Sequence, residues 1–159
     1  MIRGINHTAI NTHDLARLAD FYTKVIGFEE AADPFSWRDN AVIDSIFGLT
    51  GTAAQQRMLR AGNCFLELFE FETPSARDGG PLRACDHGFT HLALDVTNID
   101  AEVDTLRSRG MVFLLERPIA LGELRAIYGK DPDGNLIELI QTTDEHPYSL
   151  AQLTRRKAK

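Results

Sequence analysis

Residues 134–140 read GNLIELI and residues 62–69 read GNCFLELF, and each run places one carboxylate, Glu138 or Glu67, among apolar strand-like residues. A period of two puts Leu136, Glu138 and Ile140 on one face of a strand, and Phe65, Glu67, Phe69 and Phe71 on one face of another. An ionised carboxylate in an apolar row is costly unless it is paired or binds a metal. Its recurrence directs attention to what precedes each run.

The segment RGINHTAI at 3–10 mixes β-branched and polar residues and predicts a strand. It leads into HDLARLADFYTKVIGF, where Leu15, Leu18, Phe21 or Tyr22, and Val25 recur at helical spacing, Asp14 or Thr12 is placed to cap the start, and Gly27 to stop the helix. The same order returns later. FTHLALDV at 89–96 is strand-like, NIDAEVDTLRSRG carries Ile99, Val103 and Leu106 on one helical face, and Gly110 ends it. His7 lies 20 residues before Gly27 and His91 lies 19 before Gly110, so the two halves are in register.

Strand-like segments follow each helix: FEEAA, QQRMLRA and NCFLELFEF in the first half, and MVFLLE, ELRAIYGK and NLIELIQ in the second. DPDGN at 131–135 has the residues of a tight hairpin turn. The expected organisation is an α+β fold of two tandem βαβββ modules. The first spans 1–72 with an insertion at 33–55, a Gly/Pro-rich linker covers 73–88, the second module spans 89–142 and a tail covers 143–159. Within the insertion NAVIDSIFGL is expected to form a short helix, and Phe35, Trp37, Asn40 and Asp44 are candidates for lining a pocket or packing on the sheet.

Composition narrows the function classes. A formal charge of −6 argues against a broad nucleic-acid surface, and the one basic cluster, RRKAK, lies at the chain end. No apolar run approaches the roughly 20 residues of a membrane span, and the N-terminus lacks the apolar core of a signal peptide, so a cytoplasmic location is expected. Cys64 and Cys85, without CxxC spacing, read as reduced structural thiols. GxSxG, P-loop and GxGxxG motifs are lacking.

Alternation places His7 with Ile5 and Ala9, and His91 with Phe89 and Ala93, at equivalent positions of the two modules. Two matched histidines and two matched glutamates supply what a divalent metal site requires, imidazole nitrogens and carboxylate oxygens. If a pseudo-twofold relates the modules, the four groups converge on its axis. A lone strand histidine is more often structural, and a lone glutamate is often on the solvent face; it is the matched set of four that favours the metal. His13, His87 and His146 read as capping or surface residues, and Glu70, Glu72 and Glu123 as solvent-facing. Arg57, Arg77, Arg83 and Arg125 read as surface charges, with Arg125 the one placed to meet an anionic substrate.

HTAI at 7–10, ARLADFYTKVIGF at 16–28, LELFEF at 66–71, HLALDV at 91–96 and DPDGNLIELI at 131–140 together resemble the vicinal oxygen chelate superfamily over about residues 3–141. That superfamily contains glyoxalase I, methylmalonyl-CoA epimerase, extradiol dioxygenases and the fosfomycin- and bleomycin-resistance proteins. The resemblance implies a curved mixed, mostly antiparallel sheet around one divalent ion (Ni, Co, Zn, Mn, Mg or Fe). His7, Glu67, His91 and Glu138 fall where glyoxalase I places its ligands, although glutamine is common at the Glu67 position among the epimerases. It also implies a small substrate with neighbouring oxygens, a homodimer, and Glu138 or Glu67 as the base in proton transfer beside a carbonyl. A glyoxalase-like lyase or epimerase-like isomerase is the expected activity. The alternatives are an extradiol-type Fe(II) dioxygenase and a non-catalytic small-molecule binder that uses the 33–55 insertion.

Overall fold

The computed structural model describes residues 2–77 and 79–154, so the RRKAK tail lies outside the described residues. The chain divides into two units, Met1–Gly80 and Pro81–Lys159.

Unit 1 contains β1 (His7–Asn11), α1 (Leu15–Asp20), β2 (Glu29–Glu30), β3 (Phe35–Arg38), α2 (Ala41–Phe47), β4 (Ala53–Ala61) and β5 (Cys64–Thr73). The sheet order is β1-β5-β4-β2, with β3 also on β4. β1 runs parallel to β5, while the other pairs are antiparallel. The strand expected over 3–10 begins only at His7. His7 pairs with Phe65, and just beyond it β5 ends at the Gly62–Asn63 turn, so residues 3–5 have no partner strand.

Asp14 caps α1 by accepting from the Arg17 N–H at 2.9 Å, and Thr12 Oγ1 accepts from the Asp14 N–H at 3.1 Å. A π-helical turn over Phe21–Ile26 extends the helix to Gly27, whose φ of +95° is easy only for glycine. α1 buries Leu15, Leu18, Ala19 and then Tyr22 on the side of the sheet that carries Leu59, Leu66 and Leu68, all nearly inaccessible. Burial of such side chains contributes about 1.5–3 kcal/mol each. This helix-covered face is therefore the core of the unit.

The insertion is more ordered than a loop. It supplies β3, which the sequence did not announce, and the expected helix as α2. Asn40 caps α2 by accepting from the Val42 and Ile43 N–H groups at 3.1 and 3.2 Å. Asp44 accepts from the Gly51 N–H at 2.7 Å, the Thr52 N–H at 3.0 Å and the Thr52 hydroxyl. These bonds hold its carboxyl below the ordinary range. Asn40 and Asp44, candidates for lining a pocket, instead fix the start of α2 and the Gly51–Thr52 segment that follows it.

Unit 2 repeats the plan with β6 (His91–Asp95), α3 (Ile99–Ser108), β7 (Val112–Phe113), β8 (Ile119–Leu121), β9 (Leu124–Lys130), β10 (Leu136–Gln141) and α4 (Leu150–Thr154). Its sheet order is β6-β10-β9-β7, with β8 also on β9, and β6 runs parallel to β10. Asn98 caps α3, whose Ile99, Val103 and Leu106 are buried, as are Ile127, Ile137 and Leu139 on the sheet. The DPDGN turn closes the β9–β10 hairpin. Asp131 Oδ1 accepts from the Asp133 and Asn135 N–H groups at 3.0 and 2.9 Å. Cys64 and Cys85 are free, and no helix among the described residues is long and apolar enough to cross a membrane.

Candidate metal and acid–base site

Each sheet has one helix-covered face and one opposite face, and alternation decides which residues go where. In β5, Leu66 and Leu68 turn under α1, so Phe65, Glu67, Phe69 and Phe71 lie on the opposite face. The parallel register sets His7 opposite Phe65 and Ala9 opposite Glu67, which brings the His7 side chain onto that same face. His7 Nε2 is 3.3 Å from Glu67 Oε2, with the two side chains 42% and 17% exposed.

Unit 2 gives the same arrangement. Leu136 pairs with His91 and Glu138 with Ala93, while Ile137 and Leu139 turn under α3. His91 Nε2 is 3.3 Å from Glu138 Oε2, and those side chains are 33% and 15% exposed. The structure thus brings together His7 with Glu67 and His91 with Glu138. Among the described residues no group of three or more His, Cys, Asp or Glu side chains is gathered closely enough to hold a metal ion.

The donor chemistry of each pair fits a divalent cation. In both histidines Nδ1 is occupied locally, by Asn6 Oδ1 at 2.9 Å for His7 and by Thr90 Oγ1 at 3.0 Å for His91. Nε2 is then the nitrogen turned to the carboxylate, and a partner on Nδ1 is what orients a ligating imidazole. Each half offers one imidazole nitrogen and one carboxylate oxygen to a common point, which is the mixture that Zn-, Ni-, Mn- or Fe-type sites take.

The second partners of the glutamates differ, and neither was evident in the sequence. Glu67 Oε1 accepts from Gln56 Nε2 at 3.0 Å. Glu138 lies directly opposite Tyr128 across the β9–β10 hairpin, and the Tyr128 ring meets the His91 ring edge-on at 5.3 Å between centroids. Burial, then the Glu138 charge and a hydrogen bond to Glu138, push the Tyr128 phenol above its ordinary range. The phenol is thus the cross-strand neighbour of the Glu138 carboxylate, and in its protonated form it is a donor toward it. A hairpin symmetric about Asp133 pairs these two residues, so DPDGN held the signal.

Other candidates have structural duties. Glu70, expected to face solvent, lies on the helix side, where its Oε2 accepts from the Leu15 N–H at 2.8 Å; Gln141 Oε1 does the same for Ile99 at 2.8 Å. Each β5 or β10 strand thus ties down the start of its own unit's helix, satisfying an N–H that the helix leaves open. Arg125 is held by Asp100 through two bonds of 2.6 and 2.9 Å, which also depress the Asp100 carboxyl. Arg57 pairs with Glu30 and Arg83 with Asp86. His146 Nδ1 accepts from the Tyr148 N–H at 3.2 Å. Cavities of about 470 and 360 Å³ share Ser36, Gln55 and Glu70. Neither is lined by any of the four candidate ligands.

The chain is similar to several known proteins. The chain is 33% identical over 152 residues to a 2-epi-5-epi-valiolone epimerase of Actinomyces sp., covering 91% of this chain and 82% of that protein. It is 29% identical over 154 residues to the lactoylglutathione lyase of Schizosaccharomyces pombe, covering 90% of this chain and 49% of the lyase, so it spans about half of that relative. Among solved structures, a glyoxalase family protein from Bacillus cereus superposes with a TM-score of 0.76 at 20% identity, covering 89% of this chain and 95% of that one, a likeness of fold. Two repeated units, each with a helix-covered face and a His–Glu pair on the other, accompany a family-model match over residues 4–139: the chain belongs to the Glyoxalase/Bleomycin resistance protein/Dioxygenase superfamily.

Proposed function

We propose that this protein is a metal-dependent enzyme that epimerises a small substrate with neighbouring oxygens by moving a proton on the carbon beside its carbonyl. The ligands in this reading are His7, Glu67, His91 and Glu138, one His–Glu pair from each unit. The observation that carries it is the pair geometry, 3.3 Å in both units, with each Nδ1 held by its preceding neighbour. The isomerase reading follows the relative named as an epimerase, matched at 33% identity, ahead of the one named as a lactoylglutathione lyase, matched at 29% over about half its length.

A bound divalent cation supplies chelation of the two oxygens and neutralises the negative charge that builds on the carbonyl oxygen. The chain's own residues then handle the proton. Glu138 takes it from the carbon, while Tyr128, donating to the same carboxylate, fixes the orientation of the accepting oxygen. Glu67, oriented by Gln56, serves as the second acid–base group: entering the cycle with a proton, it delivers that proton to the carbon from the side away from Glu138, which inverts the configuration and leaves Glu138 protonated and Glu67 ionised until proton exchange with water restores both. We also assign a homodimer. Two residues before each histidine an apolar side chain stands open, Ile5 at 77% and Phe89 at 95% exposed, and a second copy would cover such residues.

The test is elemental analysis of protein purified without chelators, beside NMR of solvent deuterium exchange into hydroxyacetone. Wild type should retain stoichiometric divalent metal and exchange the hydrogens on the carbon beside the carbonyl, whereas His7→Ala and His91→Ala should each lose most of the metal. Full metal content in both variants sinks the proposal.

A further inference from the structure

The strands carry the cations Arg38, Arg57, Arg60, Arg125 and Lys130, and alternation divides them between the two faces. Arg38, Arg57 and Arg125 lie on the helix-covered side, and each is held by a carboxylate, that of Glu72, Glu30 or Asp100. Arg60 and Lys130 lie on the face of the His–Glu pairs and are exposed. Among the described residues neither of these two is in an ion pair.

Their placement is the same in both units. His7 pairs with Phe65 and Phe65 with Arg60; His91 pairs with Leu136 and Leu136 with Lys130. Each cation is therefore the diagonal neighbour of its unit's glutamate, Glu67 or Glu138, which stands two residues further along β5 or β10. Such neighbours are about 7–8 Å apart, within reach of a long side chain. The Arg60 guanidinium lies 5.9 Å from the centroid of the Phe65 ring, a contact that holds its charge over this face although Glu29 stands opposite it on β2. Lys130 has apolar residues on both sides, Leu136 and Val112. The duplication that marks the histidines and glutamates thus extends to one cation in each unit.

The other side of each pair is unsuited to an anion. In unit 1 it is filled by an aromatic ladder in which Phe35, Trp37, Phe69 and Phe71 share the face of Glu67. Trp37 and Phe69 are 9% and 8% exposed, and Phe47 of α2 stacks on the indole and meets Phe69 edge-on, both at 5.7 Å. Phe35, at the end of the ladder, is 51% exposed. In unit 2 the equivalent side carries the Asp95 carboxyl, opposite Ile140. A negative group on a substrate chelated at the His–Glu pairs is favoured on the side of Arg60 and Lys130. Arginine and lysine are both phosphate binders, one as a planar fork and the other as a point charge.

We propose that Arg60 and Lys130 are specificity residues that receive a phosphate group, carried by the substrate a short carbon chain away from its chelating oxygens. This deepens, and rests on, the reading of His7, Glu67, His91 and Glu138 as metal ligands.

Isothermal titration of the Mn(II)-loaded full chain tests it with three probes: dihydroxyacetone, dihydroxyacetone phosphate and inorganic phosphate. The ketone phosphate should bind at least about tenfold more tightly than the ketone, and the gap should narrow at high salt. Arg60→Gln combined with Lys130→Gln should erase the gap while leaving dihydroxyacetone affinity and Mn(II) content at their wild-type levels. Four results overturn the subsite and leave the metal centre standing. These are equal affinity of wild type for the two ketones, a gap that survives the double variant, equal loss of both ketones in that variant, and inorganic phosphate binding as tightly as the ketone phosphate. Failure of the loaded wild type to bind either ketone overturns the metal-centre reading together with the subsite.

Discussion

Units 1 and 2 build the same His–Glu pair on the same strands and then surround it differently. In both, a parallel register delivers the histidine, alternation delivers the glutamate, and the distance is 3.3 Å. In unit 1 the glutamate is held by an amide from Gln56, beside a face lengthened by β3, α2 and the aromatic ladder. In unit 2 it is held by the phenol of Tyr128, and only Leu114–Pro118 separates β7 from β8. Both units keep the His–Glu pair while the groups around it differ. The physical lesson is that one duplicated pair accepts two kinds of neighbour on its carboxylate, an amide in unit 1 and a phenol in unit 2.

The largest expected effect separates the two glutamates. Glu138→Gln should lower epimerisation or deuterium exchange by about 10²–10⁴-fold, the usual contribution of a general base. Tyr128→Phe should lower it by about tenfold and change the pH profile, because a hydrogen bond to a charged group contributes about 1.5–3 kcal/mol. Steady-state rates across pH check both. If Tyr128→Phe matches wild type at every pH, the phenol is a packing residue and the contrast with Gln56 loses its meaning.

A second contrast concerns packing. A Cβ at Gly129 would stand 2.5 Å from Met111 Cε and 2.9 Å from the Val112 carbonyl oxygen, so β7 lies on β9 only because that residue is glycine. Unit 1 has Leu59 in the comparable place beside β2, fully buried under α1. Gly129→Ala should destabilise the chain by about 1–3 kcal/mol through overpacking, measurable by urea denaturation. No loss of stability would show that β7 can move away without cost.

The smallest effect belongs to the insertion that unit 2 lacks. The folded Asp44 carboxyl is lowered from an ordinary value of 3.8, first by the Thr52 hydroxyl and then by the Thr52 N–H. A lowered folded value means that its stabilisation is present above 3.8 and is lost as pH falls through the folded value. Trp37 emission should therefore show an acid step below about pH 4, with Thr52 released from Asp44. Asp44→Asn should remove that step while leaving neutral-pH emission nearly unchanged. Persistence of the step in the variant would assign it to another carboxylate.

Much of this was legible from spacing. The matched His-to-Gly intervals, the caps and stops at Asp14, Gly27 and Gly110, and the Glu67 and Glu138 runs were enough to place two βαβββ modules and to select His7, Glu67, His91 and Glu138. β3 and β8 escaped because FSWR and IAL are too short for periodicity to register. Glu70 escaped for a different reason. Alternation put it off the face of Glu67, as found, but whether the other face meets water or a helix depends on where α1 crosses the sheet.

By itself the sequence determined the repeat and the face on which each polar residue sits, because the periods of strands and helices are properties of the local backbone. Tertiary structure decided the partners: Tyr128 on Glu138, Gln56 on Glu67, Glu70 on the start of α1, and Phe35 at the open end of a ladder whose middle is buried. Those depend on cross-strand register and on which helix covers which face, and both are set by hydrogen bonding and burial between segments far apart in the chain.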